Sequence, residues 1–284
     1  MTAPTLFVGR HFRHHALRSG YAELATHIDP DARVIPGFRW IPRPLARPLA
    51  RRAGIGMYGI DGIRAEAAAI LSMLVRKGRL YHFVYGESHY RYAGRFAARR
   101  GHRILCTFHQ PPEVLARVLP SRDHLKALAG IIVVARCQVP FFTELLGPER
   151  VFFVPHGIDT SFFRPPEVRP ATRTCLCVGH WLRDFGMLKE AVAILRQGDP
   201  ALRVEIVSAG ESEGLLGTEG VTFANRVPTP ELIARRASGT LPLAELGPID
   251  LDEPVSRALR LRGRGRGHDA RIIATCLDAS VGGT

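Results

Sequence analysis

The chain has 284 residues, 46% of them hydrophobic, and carries a formal net charge of +13 with a pI near 10.4. That content suffices to bury one large core or two modest ones, which excludes a disordered chain. Its longest strongly apolar stretch, Ala65 to Val75, contains Glu66 and is shorter than the roughly 20 residues of a bilayer-spanning helix. The positive excess draws phosphate-bearing partners, whether nucleotides, nucleic acid or anionic lipid headgroups, without choosing among them.

The N-terminus, Met1 to Val8, has no basic region leading into a long apolar stretch, so it reads as a first strand and not as a signal peptide. Beyond it, short β-branched or aromatic runs alternate with longer amphipathic runs, the pattern of strands feeding crossover helices into a parallel sheet. In chain order the predicted strands are Thr5–Val8, Arg33–Ile35, Tyr81–Tyr85, Arg103–Thr107, Ile131–Val134 and Val151–Val154. Between them Ala65–Arg76, Tyr90–Arg100 and Gln138–Leu146 carry apolar residues at helical spacing, with Gly101 as a helix stop. Ahead of the third strand, Arg39, Arg43, Arg47 and Arg51 recur every four residues among Trp40, Ile41, Leu45 and Leu49, a mixture suited to a membrane interface. Pro42, Pro44 and Pro48 interrupt a continuous helix there, so a solvated basic loop is an equal reading.

After Phe163 to Pro166 a polar linker runs to Thr174, and the alternation then restarts, as at the opening of a second domain. Cys175–Val178 reads as a strand, Gly179–Gly186 as a loop, and Met187–Gln197 as a helix with Leu188, Ala191, Val192 and Leu195 on one face. Strands Arg203–Ala209 and Val221–Phe223 follow, and then a helix from Pro230 with Thr229 as its N-cap. The pattern fails near Ser238. The expected organisation is a Rossmann-like domain over 1–165, a partial Rossmann-like domain over 166–240 and an atypical Arg/Gly-rich tail over 241–284.

Five cysteines, Cys106, Cys137, Cys175, Cys177 and Cys276, form an odd set, three of them within predicted strands. They read as structural thiols in a reducing cytoplasm, since Cys175 and Cys177 lack the second ligand pair of a zinc site.

The segment Val154-Pro-His-Gly-Ile-Asp-Thr-Ser-Phe-Phe-Arg-Pro165 resembles the interdomain crossover of family 4 glycosyltransferases, which reads approximately ΦPxGΦDxxxFxP. Other segments fall in that family's order: Ser19 to Ala25 resembles the Gly-containing turn after the first strand, Ile104 to His109 the strand ending in a cleft His, and Ile131 to Cys137 the strand before the last N-domain helix. Leu176 to Gly186 is similar to the family's ΦVGRxxxxKG loop, and Val204 to Gly210 to its next strand and glycine. The resemblance covers about residues 5 to 240. It implies an α/β fold of GT-B type with two Rossmann-like domains, the second incomplete, and a retaining transferase that uses a nucleotide-sugar donor.

A transfer from a nucleotide sugar must stabilise an oxocarbenium-like sugar and a departing diphosphate. Backbone N–H groups at Gly-rich turns and helix N-termini, aided by Arg or Lys, supply that positive field without a metal. The resemblance places Gly20, Gly179, His180, Arg183 and Gly210 at the donor, with Gly179 and Gly186 forming the phosphate turn. It also shows a departure: the family's Arg and Lys in this loop are His180 and Phe185 here, and Arg183 is the nearby replacement cation. His109 follows an apolar strand and precedes Gln110-Pro-Pro, which puts it at a strand's C-terminal end, where open α/β sheets bind ligands. The resemblance makes it the catalytic residue at the donor sugar. Asp29-Pro-Asp31 and Asp250-Leu-Asp252 spell Asp-x-Asp, but the first reads as a turn, and neither a metal nor another cofactor is expected.

The family completes its donor site with Glu-x7-Glu, a spacing that Glu245 and Glu253 share, although Pro248 and Pro254 intrude. From Arg257 to Ala270 the chain is rich in Arg, alternating with Gly over Arg262 to Gly267, where the family has an apolar strand. A reading-frame change near codon 240 of a GC-rich gene accounts for this; a natural Arg/Gly arm for RNA or anionic membranes is the rival reading. The expected partners are therefore a nucleotide sugar, a glycan or lipid-linked acceptor, and an anionic membrane in peripheral contact at its cytoplasmic face, with nucleic acid not expected. The alternative function is a catalytically inactive remnant or nucleotide-binding protein without a complete donor site.

Overall fold

A computed structural model describes residues 5–9, 21, 24–28, 33–35, 37–38, 40–157, 174–178, 184–207, 217–224 and 240–242. The chain divides into two compact units, Met1–Phe162 and Phe163–Thr284. Both are α/β, as the sequence predicts.

The first unit is built on six parallel strands: β1 (Leu6–Val8), β2 (Arg33–Ile35), β3 (Leu80–Phe83), β4 (Arg103–Phe108), β5 (Gly130–Val133) and β6 (Val151–Phe153). Their spatial order is β2-β1-β3-β4-β5-β6, with Leu6 opposite Tyr81 and Leu80 opposite Arg103. Strands of a parallel sheet covered on both faces are apolar nearly throughout. Accordingly Phe7, Tyr81, Phe83, Ile104, Phe108 and Ile131 are almost wholly buried. The helices are α1 (Leu24–Ile28), α2 (Arg43–Arg52), α3 (Ile60–Val75), α4 (Gly86–His89), α5 (Gly94–Ala97), α6 (Pro112–Val118) and α7 (Val139–Leu146). Gly101 ends the turn after α5 with φ +67°, the left-handed conformation that favours glycine.

Two expectations are corrected. The predicted helix Tyr90–Arg100 is helical only from Gly94, because the N–H groups of Arg91, Tyr92 and Ala93 all donate to Glu66 Oε1 at 2.7, 2.5 and 2.7 Å. A tertiary acceptor has won over local helical bonding. Conversely, the prolines around Arg43 to Arg52 do not prevent a helix. Pro44 sits in the first turn, where a missing N–H costs little, and Pro48 lies exposed within the helix. An internal proline costs about 3 kcal/mol. Burial of Ala46 offsets it, together with bonds from Arg64 to the carbonyl of Ile41 and from the Tyr92 hydroxyl to the carbonyl of Leu49.

In the second unit β7 (Thr174–Val178), β8 (Arg203–Val207), β9 (Val221–Ala224) and β10 (Thr240–Pro242) form a parallel sheet in the order β10-β7-β8-β9. Helix α8 (Phe185–Gly198) packs Leu188 and Val192 against Cys175, Val204 and Ile206. Strand β10 lies beyond Ser238, where the sequence pattern had run out, and pairs Leu241 with Cys175. The predicted helix from Pro230 lies outside the described residues, as does the tail beyond Pro242. Burial pushes the Cys175 thiol up to about 11 and the Cys106 thiol well above its ordinary range, so both are unreactive packing groups at neutral pH. No group of three or more potential metal ligands occurs among the described residues.

Candidate functional site

The strand order of the first unit reverses between β1 and β3, and at such a point the carboxyl ends of the strands leave a crevice in which α/β sheets bind ligands. Two buried chemical groups lie at this edge. His109 follows β4 directly, and Glu87 sits in α4, three residues after Tyr81-containing β3 has given way to Val84 and Tyr85. His109 Nδ1 stands 3.4 Å from Glu87 Oε1, with the side chains 6% and 3% exposed. The pair is close enough for strong charge interaction yet is not aligned as a hydrogen bond, and Glu87 Oε2 has no hydrogen-bond partner among the described residues. A carboxylate beside Nδ1 favours the proton on that nitrogen and leaves Nε2 as the exchangeable site of the ring.

Local packing dictates this placement. A Cβ on Gly86 would come within 2.7 Å of the Phe108 ring and 3.0 Å of Cys106 Cβ, so only glycine lets α4 start directly against β4. On the other side Gln138, 1% exposed, donates from Nε2 to the carbonyls of Phe108 and Gln110 at 3.0 and 2.9 Å. Its Oε1 accepts from the N–H groups of Val134 and Ala135 at 2.9 and 2.8 Å. One buried amide thereby holds the backbone on both flanks of His109 and ties it to the end of β5.

Aromatic rings cover the histidine. Tyr21 stacks on it with centroids 3.8 Å apart and planes 12° from parallel, and His156 lies 4.9 Å from Tyr21 and 5.7 Å from His109, again nearly parallel. Tyr85 tilts against His109 at 5.4 Å. Burial, and then the charge of His109, holds the His156 imidazole below its ordinary range. Burial and then the Glu87 carboxylate push the Tyr21 hydroxyl up. Below this layer His82 Nε2 meets Thr107 Oγ1 at 2.7 Å, and burial followed by the charge of His109 lowers His82 to about 4. At neutral pH His82 and His156 are therefore uncharged, and Glu87 and His109 face each other in a desolvated setting.

His82 links this layer to stability. Its folded value of about 4 lies below the ordinary 6.5, so between those values the unfolded chain binds a proton that the folded chain refuses. Stability is complete above about pH 6.5, falls as pH drops toward 4, and loses nothing more from this group below that; the gap amounts to about 3 kcal/mol. His124, also lowered to about 4 by burial, acts in the same direction. In urea unfolding at pH 7, 5.5 and 4, His82→Gln is expected to lose less stability with acid than the unmodified chain, and equal losses would refute the assignment.

Of the residues predicted for the site, the structure places His109. Gly20, Gly179, His180, Arg183, Gly210, Glu245 and Glu253 lie outside the described residues. Gly186 belongs to the first turn of α8 and not to a preceding phosphate turn, and the Asp184 side chain caps that helix by accepting from the Met187 N–H at 2.9 Å. Sequence reasoning missed Glu87, Tyr85 and Gln138. It held Tyr21 and His156 inside family-like segments without assigning either a role.

The fold defines an α/β protein of two Rossmann-like units, with the candidate site beside the strand-order reversal of the first. The sequence matches no family model and no curated protein. Among solved structures the chain is similar to S. aureus TarM, crystallised as the G117R mutant with fondaparinux, alpha-GlcNAc-glycerol and UDP, at 10% identity and a TM-score of 0.45. That similarity covers 63% of this chain and 41% of the TarM chain. A GtfA/B complex follows at 7% identity and a TM-score of 0.41, covering 78% and 58%, and Arabidopsis thaliana UGT89C1 complexed with quercetin at 12% and 0.38, covering 76% and 61%. The chain thus spans about two fifths to three fifths of the length of the structures it matches. No helix among the described residues is long and apolar enough to cross a membrane.

Proposed function

We propose that the chain is a retaining, GT-B type glycosyltransferase of family 4 character that moves a sugar from a nucleotide-sugar donor to a glycan, lipid or polysaccharide precursor. The observation that carries this reading is the buried His109–Glu87 pair at the strand-order reversal of a parallel sheet, at the position where the crossover-bearing sequence resembles a family with a cleft histidine. In this reading His109 touches the donor sugar and Glu87 keeps the proton on its Nδ1. Residues 1–165 serve the acceptor. Residues 166–240 bind the donor through Gly179, His180, Arg183 and Gly210; Gly20 is a further donor-binding residue, and Glu245 and Glu253 accept hydroxyl bonds. The departing diphosphate accepts the acceptor's proton, and no metal or other cofactor takes part.

A second reading, a nucleotide-binding or inactive relative, is favoured by one specific feature. The family's two cationic positions are His180 and Phe185, and the Asp184 carboxylate occupies the N-cap of α8, where an anion would otherwise find free N–H groups. Titration of the full chain with a panel of UDP- and GDP-sugars separates the two. Transfer predicts saturable binding with slow donor hydrolysis for at least one member, binding without hydrolysis supports the second reading, and absence of any binding refutes the first.

A further inference from the structure

Helix α2 presents a surface that the transfer reading does not use. Trp40, Leu45 and Leu49 are 73%, 66% and 46% exposed, although burial is the normal fate of such side chains. Around the helix Ala46 and Ala50 face the core. Leu45 and Leu49 share one flank, Arg43, Arg47 and Arg51 share the other, and Pro44 and Pro48 lie outward between them. From residue 32 to residue 60 the chain holds six arginines, Arg33, Arg39, Arg43, Arg47, Arg51 and Arg52, and no Asp or Glu.

The helix is also rigidly mounted. Arg64 donates from Nε and Nη2 to the carbonyl of Ile41 at 3.1 and 2.8 Å, the Tyr92 hydroxyl donates to the carbonyl of Leu49 at 3.0 Å, and Arg91 Nε donates to the carbonyl of Ala53 at 2.8 Å. Its outward side is presented already folded, so a partner pays no ordering cost to engage it.

We propose that the Trp40–Arg52 face is a membrane-docking surface for an anionic lipid bilayer. Leu45, Leu49 and Trp40 enter the boundary between headgroups and acyl chains, where an amphipathic helix lies in the interface plane, while the arginines meet lipid phosphates. Charge complementarity selects an anionic surface. The exposed leucines select lipid over nucleic acid, because phosphate contacts on a nucleic acid leave such side chains in water. This inference does not depend on the transfer reading, since lipid binding alone measures it.

The test is co-sedimentation of the full chain with vesicles of phosphatidylglycerol and phosphatidylcholine in equal parts, against vesicles of phosphatidylcholine alone. Binding is expected to the mixed vesicles and to be at least tenfold weaker to the neutral ones. Leu45→Gln with Leu49→Gln, and separately Arg43→Gln with Arg47→Gln, should each weaken binding at least tenfold while leaving the thermal unfolding midpoint in place. In a Trp181→Phe background, Trp40 emission should shift to the blue on binding and be quenched by brominated lipid. The basic Arg257–Arg271 stretch would also draw anionic vesicles, but without moving Trp40 or responding to Leu45 and Leu49. Binding of that kind, absence of binding to mixed vesicles, or binding of a single-stranded RNA that falls with the arginine variant and ignores the leucine variant would each overturn the proposal.

Discussion

Glu66→Ala is expected to destabilise the first unit by about 4 kcal/mol, read as a lower midpoint in urea unfolding at pH 7. Glu66 is 1% exposed in the middle of α3. Its Oε1 takes the N–H groups of Arg91, Tyr92 and Ala93, and its Oε2 takes the Tyr58 hydroxyl. Burial pushes the carboxyl above its usual range, and the four donors oppose that push. Alanine leaves three backbone donors without an acceptor, that of Ala93 buried and those of Arg91 and Tyr92 half-buried, at about 1–3 kcal/mol for a buried one and less for the others. Glu66→Gln keeps an acceptor oxygen for the same three N–H groups, so its cost should fall well below that of alanine. An alanine variant within about 1 kcal/mol of the unmodified chain would sink this account. The segment that Glu66 holds follows α4 directly, so its loss should also loosen Glu87.

The second large effect concerns chemistry. If the proposed transfer operates, His109→Ala is expected to lower turnover by about 10²- to 10³-fold, the range for removing one preorganised donor from a desolvated site. Donor affinity should change much less, because the group acts on the sugar as charge develops and not on the nucleotide. Glu87→Gln should lower turnover less than His109→Ala does, since the amide keeps the shape of the group beside His109 Nδ1 but not its charge. Steady-state kinetics with whichever donor binds in titration measure all three proteins. Unchanged turnover in His109→Ala would remove the histidine from the mechanism.

Of the three missed site residues, Glu87 and Gln138 contrast with His109, which the sequence did place. His109 was legible because an apolar run, Ile104 to Phe108, ends on it and Gln110-Pro-Pro closes the strand. Glu87 lies in Gly-Glu-Ser-His, a short polar stretch with no periodicity, and only the pairing of β3 beside β4 brings it within 3.4 Å of His109. Gln138 was legible as a helix start, but two of its four hydrogen bonds reach Phe108 and Gln110 across about thirty residues of chain. The basic helix was obscured for the opposite reason: local proline chemistry argued against it, and distant side chains at Arg64 and Tyr92 supplied the carbonyl partners that hold it.

By itself the sequence determined the class of fold, because period-two and helical apolar spacing are local properties that each segment carries alone, and it determined where β4 ends and His109 begins. Strand order was decided only in the tertiary structure. Order depends on which buried faces meet, and here it set β3 between β1 and β4, placed the carboxyl ends of those strands together, and brought Glu87, Tyr21 and His156 around one imidazole. The start of the predicted Tyr90–Arg100 helix was settled the same way, by a single buried carboxylate that outcompeted the local bonds of three residues.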